Sequence, residues 1–440
     1  MKKFFLFSIL LIIAFSSCKK DNVVPETTLT PEMARDSLFY IMKEYYFWFD
    51  KPEAFAVTEV TKENYKDPAE LLDAMRYKDL DRWSFIADYD EFISEMQGDF
   101  VGHGIRIGLD SQGIARIAMI YEKSPLYASG VRRGWIVKKL NGVDLAPILM
   151  SNDATAYSNL IGPGKEGITN IFLFQNAQGA EVTISSTKSS FTVNTVLKYD
   201  TLNLKTGITG HLVFESFITP SADELATAFS YFKSAGIKDL ILDLRYNTGG
   251  YLSIAQALAS YIAGDVQAGK VFAKLTYNSK HPEANSTFNF KTTSYSIGLT
   301  RLVVITSRST ASASEAVING LKPFMTVVTI GDTTNGKPTG MNGWDVGKKY
   351  FFWPVTFKMV NASNEGDYFA GIIPAKVMPD DITHDFSDRQ ELCLKESILY
   401  LETGSVSTKS FQQFKRQPHF SEKPAWMNNA FSDIIQIPNE

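Results

Sequence analysis

Short apolar runs that lead into helix-like segments recur in the second half of the chain, and this alternation restricts the possible folds most. Residues 238–244 and 302–305 are two such runs. The first is followed by a glycine-rich exit and a helical pattern over 252–262, the second by a helical pattern over 316–321. Strands and helices in alternation predict a β-α-β sheet. We therefore predict an α/β core for residues 205–402.

Hydroxyl side chains crowd the loop after the second apolar run, and Ser312 lies at the predicted helix start. A serine hydroxyl needs an adjacent base to become a nucleophile. At a helix start it is exposed, and the free backbone N–H groups nearby can hold an oxyanion. Serine and threonine also collect at helix starts because they cap them. Local features alone leave both interpretations open.

Lys337 is the candidate base for Ser312. It follows Gly336 at the exit of a further strand-like run, residues 327–330, so its stem could fold inward. A lysine acts as a base only when it is neutral near pH 7, which requires burial that lowers its pKa by roughly 3 units. A solvated lysine after a glycine is the alternative.

Two signatures resemble those of one peptidase family. Thr-Ala-Ser-Ala-Ser-Glu at 310–315, followed by Gly-Lys at 336–337, resembles the signature of the carboxy-terminal processing peptidases, also called tail-specific proteases. Residues 240–250 are similar to that family's Asp-Leu-Arg-x-Asn-x-Gly-Gly segment. The resemblance covers residues 31–402. It implies a crotonase-like α/β core in which Ser312 is the nucleophile and Lys337 the general base.

The resemblance also implies where the oxyanion binds. The backbone amides that it assigns to the oxyanion are those of Gly249, Gly250 and Ala313. Asp243 and Arg245 are predicted to be structural. The chain departs from the family after the lysine: Pro338 replaces a glycine, and Met341 stands where many members have a glutamine that orients the base. Asn342 is the candidate substitute.

Residues 99–190 change to an alternating pattern with a predicted hairpin and a short helix, and they resemble a PDZ domain. Trp135 replaces an aspartate of that pattern. PDZ domains add a bound peptide as an extra strand and receive its terminal carboxylate on backbone N–H groups. The matching loop residues are Gly102, His103, Gly104 and Ile105. The expected partners are therefore protein or peptide substrates with free C-termini; a purely structural module is the alternative.

The start of the chain is a predicted export signal, residues 1–18. Two lysines precede an apolar run over 4–15 and small residues before Cys18. The junction resembles a lipobox, with Phe15 where leucine is usual. This implies lipidation of Cys18 and anchoring to a bacterial membrane in the cell envelope, on the periplasmic side or the cell surface. A plain cleavable signal is the alternative.

The remaining segments complete the domain prediction. Residues 19–30 are a predicted linker, and residues 31–98 a predicted helical domain that begins with Thr30 as N-cap. Residues 403–440 are interpreted as a C-terminal appendage. Within the core, Ser221 and Glu224 have the spacing of a capping box, and residues 265–300 are predicted to form a loop or hairpin.

Composition excludes several other functions. The five histidines are scattered, and Cys393 is the only cysteine besides Cys18, so we expect no metal site, no cofactor and no internal disulfide. A formal net charge of −4 gives no sign of a nucleic-acid surface.

Two functions from different classes follow. The first is a serine endopeptidase that acts through Ser312 and Lys337 and uses the PDZ-like unit to recognise substrate C-termini. The second is a catalytically weak or silent peptide-binding scaffold, which only Met341 favours. Acyl-CoA chemistry on a crotonase-like core has no supporting motif.

Overall fold

The structure, a computed structural model, describes residues 29–408, 419–422 and 434–436, the last by backbone alone. The predicted signal with Cys18, and the predicted linker as far as residue 28, lie outside the described residues. Among the helices that are described, none is long and apolar enough to cross a membrane.

The described residues form 11 α-helices and 24 strands. The α-helices are α1 (Pro31–Tyr45), α2 (Pro52–Ala56), α3 (Pro68–Met75), α4 (Tyr89–Met96), α5 (Pro125–Ala128), α6 (Leu145–Met150), α7 (Ala154–Ile161), α8 (Ser221–Ala235), α9 (Leu252–Ala263), α10 (Ala313–Leu321) and α11 (Leu392–Thr403). The first strands are β1 (Phe85–Asp88), β2 (Asp99–Gly102), β3 (Ile105–Leu109), β4 (Ala115–Ile120), β5 (Ile136–Leu140), β6 (Val143–Asp144), β7 (Thr169–Gln175), β8 (Glu181–Thr187), β9 (Ser189–Thr192), β10 (Val196–Leu204), β11 (Gly207–Phe214) and β12 (Asp239–Asp243). The later strands are β13 (Gly250–Tyr251), β14 (Val271–Tyr277), β15 (Ser286–Asn289), β16 (Arg301–Thr306), β17 (Thr326–Gly331), β18 (Thr339–Asn342), β19 (Trp344–Val346), β20 (Tyr350–Trp353), β21 (Val355–Val360), β22 (Lys376–Val377), β23 (His419–Ser421) and β24 (Ile434–Gln436).

A six-stranded sheet in the order β10-β11-β12-β16-β17-β22 forms the centre of the core. Its first pair is antiparallel and the others are parallel. Neighbouring residues of β12 enter different apolar clusters: Leu240 and Leu242 pack with α8, α9 and α10, whereas Ile241 packs with α11. Helices therefore cover both faces, as parallel sheets require. The predicted alternation of strands and helices is confirmed.

The predicted capping box at the start of α8 is wrong. The N-cap residue is Pro220. Ser221 Oγ donates a hydrogen bond to Ser216 O at 2.7 Å, and the Glu224 carboxylate accepts from the amide and the hydroxyl of Thr195 at 2.7 and 2.8 Å. Glu224 thus ties the helix to the start of β10, because its distant partners outcompete the local one.

A second sheet lies beside the core in the order β13-β24-β18-β21-β14-β15. Strands β14 and β15 form the hairpin predicted between residues 265 and 300. Strand β24 runs parallel to both of its neighbours: Ile434 is paired with Gly250, and Ile435 with Met341. The second sheet therefore joins the glycine-rich exit of β12 to the segment after Lys337.

Residues 99–190 form a β-rich unit. Its main sheet has the order β23-β3-β4-β5-β7-β8, and β6 pairs with β5. The predicted hairpin is β3–β4, which is antiparallel. Strand β23, like β24, comes from the region interpreted above as an appendage, so two segments of that region are built into sheets.

Residues 31–98 contain α1 to α4 but are not wholly helical. The hydroxyl of Thr30 accepts from Met33 N at 3.3 Å, which confirms the predicted cap of α1. Strand β1 pairs antiparallel with β20, and the rings of Phe85 and Trp353 stack with centroids 6.3 Å apart. A strand this short was missed because its partner lies far along the chain.

Candidate active site

Ser312 joins β16 to α10 in a backbone conformation that few residues adopt. Its φ is 61° and its ψ is −115°. A positive φ in a residue other than glycine costs about 1–3 kcal/mol and persists only where the surroundings impose it, often at functional sites. Two hydrogen bonds hold the preceding loop: Thr310 Oγ1 donates to Leu244 O at 2.8 Å, and Ala311 N to Asn247 O at 3.2 Å.

The Ser312 hydroxyl is fully buried at the N-cap of α10 and faces the Glu315 amide in a capping-box arrangement, but it makes no well-formed hydrogen bond within the described residues. An unsatisfied buried hydroxyl costs about 1–3 kcal/mol. Such groups are rare in native structures, and each calls for an explanation such as a reactive role. Together with the strained backbone, this marks Ser312 as a site built for something other than stability.

Lys337 is fully buried as well, so the alternative of a solvated lysine is wrong. Its Nζ lies 3.1 Å from Met341 Sδ and 6.0 Å from the centroid of the Trp83 ring. Gly336 before it has φ 94°, and a Cβ there would lie 2.4 Å from Phe369 O. Only glycine fits that turn, which directs the chain inward at Lys337.

Glu315 connects the serine segment to the lysine segment. Its Oε2 accepts hydrogen bonds from Ser312 N at 2.9 Å and from Lys337 N at 2.8 Å. Its Oε1 accepts from Thr334 Oγ1 at 2.5 Å and from Gly336 N at 2.7 Å. One carboxylate oxygen therefore holds the amides of both predicted site residues side by side.

Two opposing effects act on Glu315. Its complete burial raises its pKa, and this is the larger effect, while the four donors lower it. Because all four contacts are donors, the anion satisfies them and a protonated carboxyl would not. Sequence reasoning quoted Glu315 only as a motif letter. The contact between Glu315 and the Gly336–Lys337 turn joins residues that are 21 and 22 positions apart, and no local sequence pattern connects them.

The predicted oxyanion residues belong to two segments that both contact Asn247. Gly249 N already donates to Asn247 Oδ1 at 2.9 Å, so this amide is engaged. Gly250 has φ 135°, and a Cβ there would lie 2.3 Å from Phe217 O, so the position requires glycine. Ala313 begins α10, where amides lack intrahelical acceptors. The amides of Gly250 and Ala313 are thus the better candidates.

Met341, at the position where many family members have a glutamine, contacts the lysine amine. Met341, fully buried, brings its sulfur to Lys337 Nζ. The Asn342 side chain instead accepts from Thr356 Oγ1 at 2.7 Å through its Oδ1. A thioether is only a weak acceptor, so Met341 orients the amine less strongly than a glutamine amide oxygen at this position would.

Asp243 and Arg245 lie in a buried ion cluster at the end of β12. The guanidinium of Arg245 contacts Asp243 at 2.8 Å, Asp380 at 2.7 Å and Glu391 at 2.8 Å. Arg133 of the β-rich unit also binds Asp380, at 2.9 Å. The arginines hold the pKa of Asp380 well below its usual range, against the effect of burial. The cluster fastens the β-rich unit to the core.

The predicted peptide-binding residues join β2 to β3: Gly102 ends β2 and Ile105 begins β3, and neither strand belongs to the sheet of β16, which leads to Ser312. The buried imidazole of His103 contacts Ser186 Oγ at 2.9 Å and Asn170 Oδ1 at 2.7 Å. Burial lowers its pKa. The ring therefore anchors the loop, which leaves the backbone of positions 102–105 as the candidate for ligand contacts. Across the described residues, no group of three or more His, Cys, Asp or Glu side chains could hold a metal ion.

Known proteins are similar to this chain in sequence, mainly over its core. Residues 208–377 match the model of peptidase family S41. The carboxy-terminal processing proteases CtpA and CtpB of Bacillus subtilis are 27% and 22% identical over 252 and 261 residues, in each case 57% of this chain and 49% of the relative. The chain thus spans about half the length of these curated relatives.

The fold has a solved counterpart. A crystal structure of a Bacteroides fragilis protein assigned to the S41 proteases matches 84% of this chain and 97% of its own, with a TM-score of 0.68 and 22% identity. At this identity the match establishes the fold.

Proposed function

We propose that this chain, whose residues 208–377 match the model of peptidase family S41, is a serine endopeptidase with a Ser312–Lys337 dyad. One observation carries the proposal. A single oxygen of Glu315 binds the amides of both residues, beside a buried serine hydroxyl that the described residues leave unpartnered. A strained backbone and a buried titratable side chain both cost free energy, and both are found mainly at functional sites.

The proposed reaction has two stages. Ser312 Oγ bonds to the carbonyl carbon of the substrate while its proton passes to Lys337 Nζ. The oxyanion accepts hydrogen bonds from the amides of Gly250 and Ala313. The C–N bond then breaks, and the lysine ammonium gives its proton to the departing amine. Water attacks the acyl-enzyme, Lys337 takes a proton from it, and Ser312 oxygen leaves with that proton.

The same proposal covers the other parts of the chain. The core is crotonase-like, residues 31–98 are a mainly helical N-terminal domain, and the β-rich unit is PDZ-like and recognises substrate C-termini. The side of β3 that accepts an added strand, β23 in this structure, and the glycine-containing loop before β3 support this role. The substrates would be exported proteins, because Cys18 would be lipidated and would anchor the enzyme to a bacterial membrane.

Labelling with a fluorophosphonate tests the nucleophile. We expect purified protein to be labelled and to degrade casein, and Ser312→Ala to lose both with its melting temperature retained. Ser314→Ala is the matched control: its hydroxyl donates to Asn247 O at 3.2 Å, two positions from Ser312. Normal labelling of Ser312→Ala would refute the assignment.

A silent scaffold is the second candidate, and the contact between Met341 Sδ and Lys337 Nζ favours it. Met341→Gln distinguishes the two, because glutamine has a similar length and supplies an amide oxygen to the amine. If the parent is a slow enzyme, the variant should be labelled several times faster. If the parent and the variant are both unlabelled while peptide binding persists, the scaffold is the better description.

A further inference from the structure

Residues 419–422 complete the sheet of the β-rich unit at its edge. Strand β23 pairs antiparallel with β3: His419 lies opposite Gly108, Phe420 opposite Ile107, and Ser421 opposite Arg106. Without β23, β3 would be an open edge, which is where an extended peptide adds to a sheet. A segment of the chain itself thus occupies the position expected for a bound peptide.

Phe420 anchors this segment in an apolar pocket. Its side chain is buried in the core cluster of the β-rich unit, with its ring centroid 5.3 Å from that of Tyr157 on α7. An aromatic side chain in a desolvated pocket is a typical anchor of a binding interface. The segment therefore binds as a peptide ligand would, by strand pairing and by one buried aromatic side chain.

Glu422 brings a carboxylate to the loop that the sequence predicts as the carboxylate receptor. Its Oε2 accepts from His103 N at 2.6 Å. A Cβ at position 102 would lie 2.7 Å from the same oxygen, so Gly102 makes this approach possible. The side chain of Glu422 is 4% exposed. Because β23 runs antiparallel to β3, this is also the end at which a peptide terminus would lie.

Lys188 supplies the charge for this carboxylate. Its ammonium is fully buried and lies 2.8 Å from Glu422 Oε1. It also donates to Gly162 O at 2.8 Å and to Pro163 O at 2.9 Å. A buried ammonium without a counter-charge is strongly destabilising. The pocket is therefore built around a carboxylate, and Glu422 provides it from a side chain.

The same region of the chain also approaches the candidate active site. Strand β24 lies between Gly250, a candidate oxyanion residue, and Met341, whose sulfur contacts Lys337. An extended substrate would pair at such a position. Backbone from the C-terminal region is thus found at both places that a substrate would use.

We propose that residues 419–422 are an internal pseudo-ligand of the groove between β3 and α7, in which Glu422 imitates a peptide C-terminus. Substrate tails must displace it, and Lys188 and the His103 amide then bind their terminal carboxylate. This rests on the proposed recognition of C-termini. A tethered segment competes at an effective concentration on the order of millimolar, so the groove is normally closed to weak ligands.

The test is peptide binding to the full chain carrying Ser312→Ala, which prevents cleavage. The probe is a fluorescein-labelled heptapeptide ending in Phe-Ser-Ala with a free carboxylate, and its amidated twin is measured alongside by fluorescence anisotropy. Phe420→Ala and Glu422→Gln each weaken the pseudo-ligand by a different contact. We expect each to bind the free-acid probe at least tenfold more tightly than the background chain. Ser421→Ala is the matched control and should leave affinity unchanged.

A third variant tests the carboxylate receptor. Lys188→Met, combined with Phe420→Ala, should remove the preference for the free acid over the amide. Melting curves identify any variant that fails to fold. If one of the two release variants, Phe420→Ala or Glu422→Gln, does not fold, the other still tests the proposal.

The outcomes separate the two proposals. Equal affinity of the background chain and both release variants, with the free acid still preferred, would overturn the pseudo-ligand and leave the recognition of C-termini standing. Equal binding of acid and amide by the release variants would overturn both. Retained acid preference after Lys188→Met would overturn the role of Lys188.

Discussion

Replacing Glu315 with glutamine should damage stability and activity together. A glutamine side chain keeps one acceptor oxygen but puts an NH2 group where the second oxygen was. At least two of the four donors that now bind Glu315 would then face a donor: either the amides of Ser312 and Lys337, or the hydroxyl of Thr334 and the amide of Gly336.

The magnitude follows from those contacts. Each buried donor left unsatisfied costs about 1–3 kcal/mol. Relief of the carboxylate burial that raises the pKa of Glu315 acts in the opposite direction. We therefore expect the free energy of unfolding to fall by about 2–4 kcal/mol. A displacement of about 1 Å between the two site residues would slow acylation by roughly a hundredfold.

Two assays on one preparation test this. Urea unfolding gives the free energy, and the rate of fluorophosphonate labelling gives acylation. Thr334→Val is the matched control: it removes one donor to Oε1 and the acceptor of the Ile372 amide, and it leaves both amides on Oε2. It should lose about 1–2 kcal/mol and keep most of its labelling rate. A Glu315→Gln protein that unfolds and reacts like the parent would show that the carboxylate does not hold the site together.

Three further predictions follow from the site and the termini. Lys337→Met should lower acylation by about a thousandfold without lowering the free energy of unfolding, and Lys337→Arg should be equally inactive since guanidinium keeps its proton; near-parent labelling of the arginine variant would exclude Lys337 as the base. Burial lowers the pKa of His419 to about 4, despite the attraction of Asp380, so the released segment binds a proton that the docked segment does not. The free energy of docking should be constant above about pH 6.5 and weaken by up to about 2 kcal/mol at pH 5. Tighter binding of the peptide probe at pH 5 would show this. The same pH dependence in a His419→Gln chain would contradict it. Cys18→Ser should abolish incorporation of labelled palmitate, and labelling that persists would rule out this cysteine as the lipid site.

Local patterns were sufficient for the elements around Ser312. Strands β12, β16 and β17 are short apolar runs bounded by turns, so the sequence of each run is enough to predict it as a strand. The family signatures then paired Ser312 with Lys337, which no local pattern could have done.

What the sequence missed depends on contacts between distant segments. Strand β1 exists because β20 pairs with it, and Glu224 leaves its expected cap because Thr195 offers two donors. The role of Glu315 needs the turn at Gly336, and the role of Lys188 needs Glu422. Each contact joins residues that are far apart in the sequence, and helical or strand periodicity cannot predict which distant residues meet.

The pairing of β23 with β3 also bears on solubility and assembly. Cutting the chain before His419 would uncover the backbone N–H and C=O groups of β3 and leave the Phe420 pocket empty. Exposed edges of this kind recruit strands from other molecules. Two intact copies could instead exchange their segments, each completing the sheet of the other, and form a symmetric dimer without any new contact.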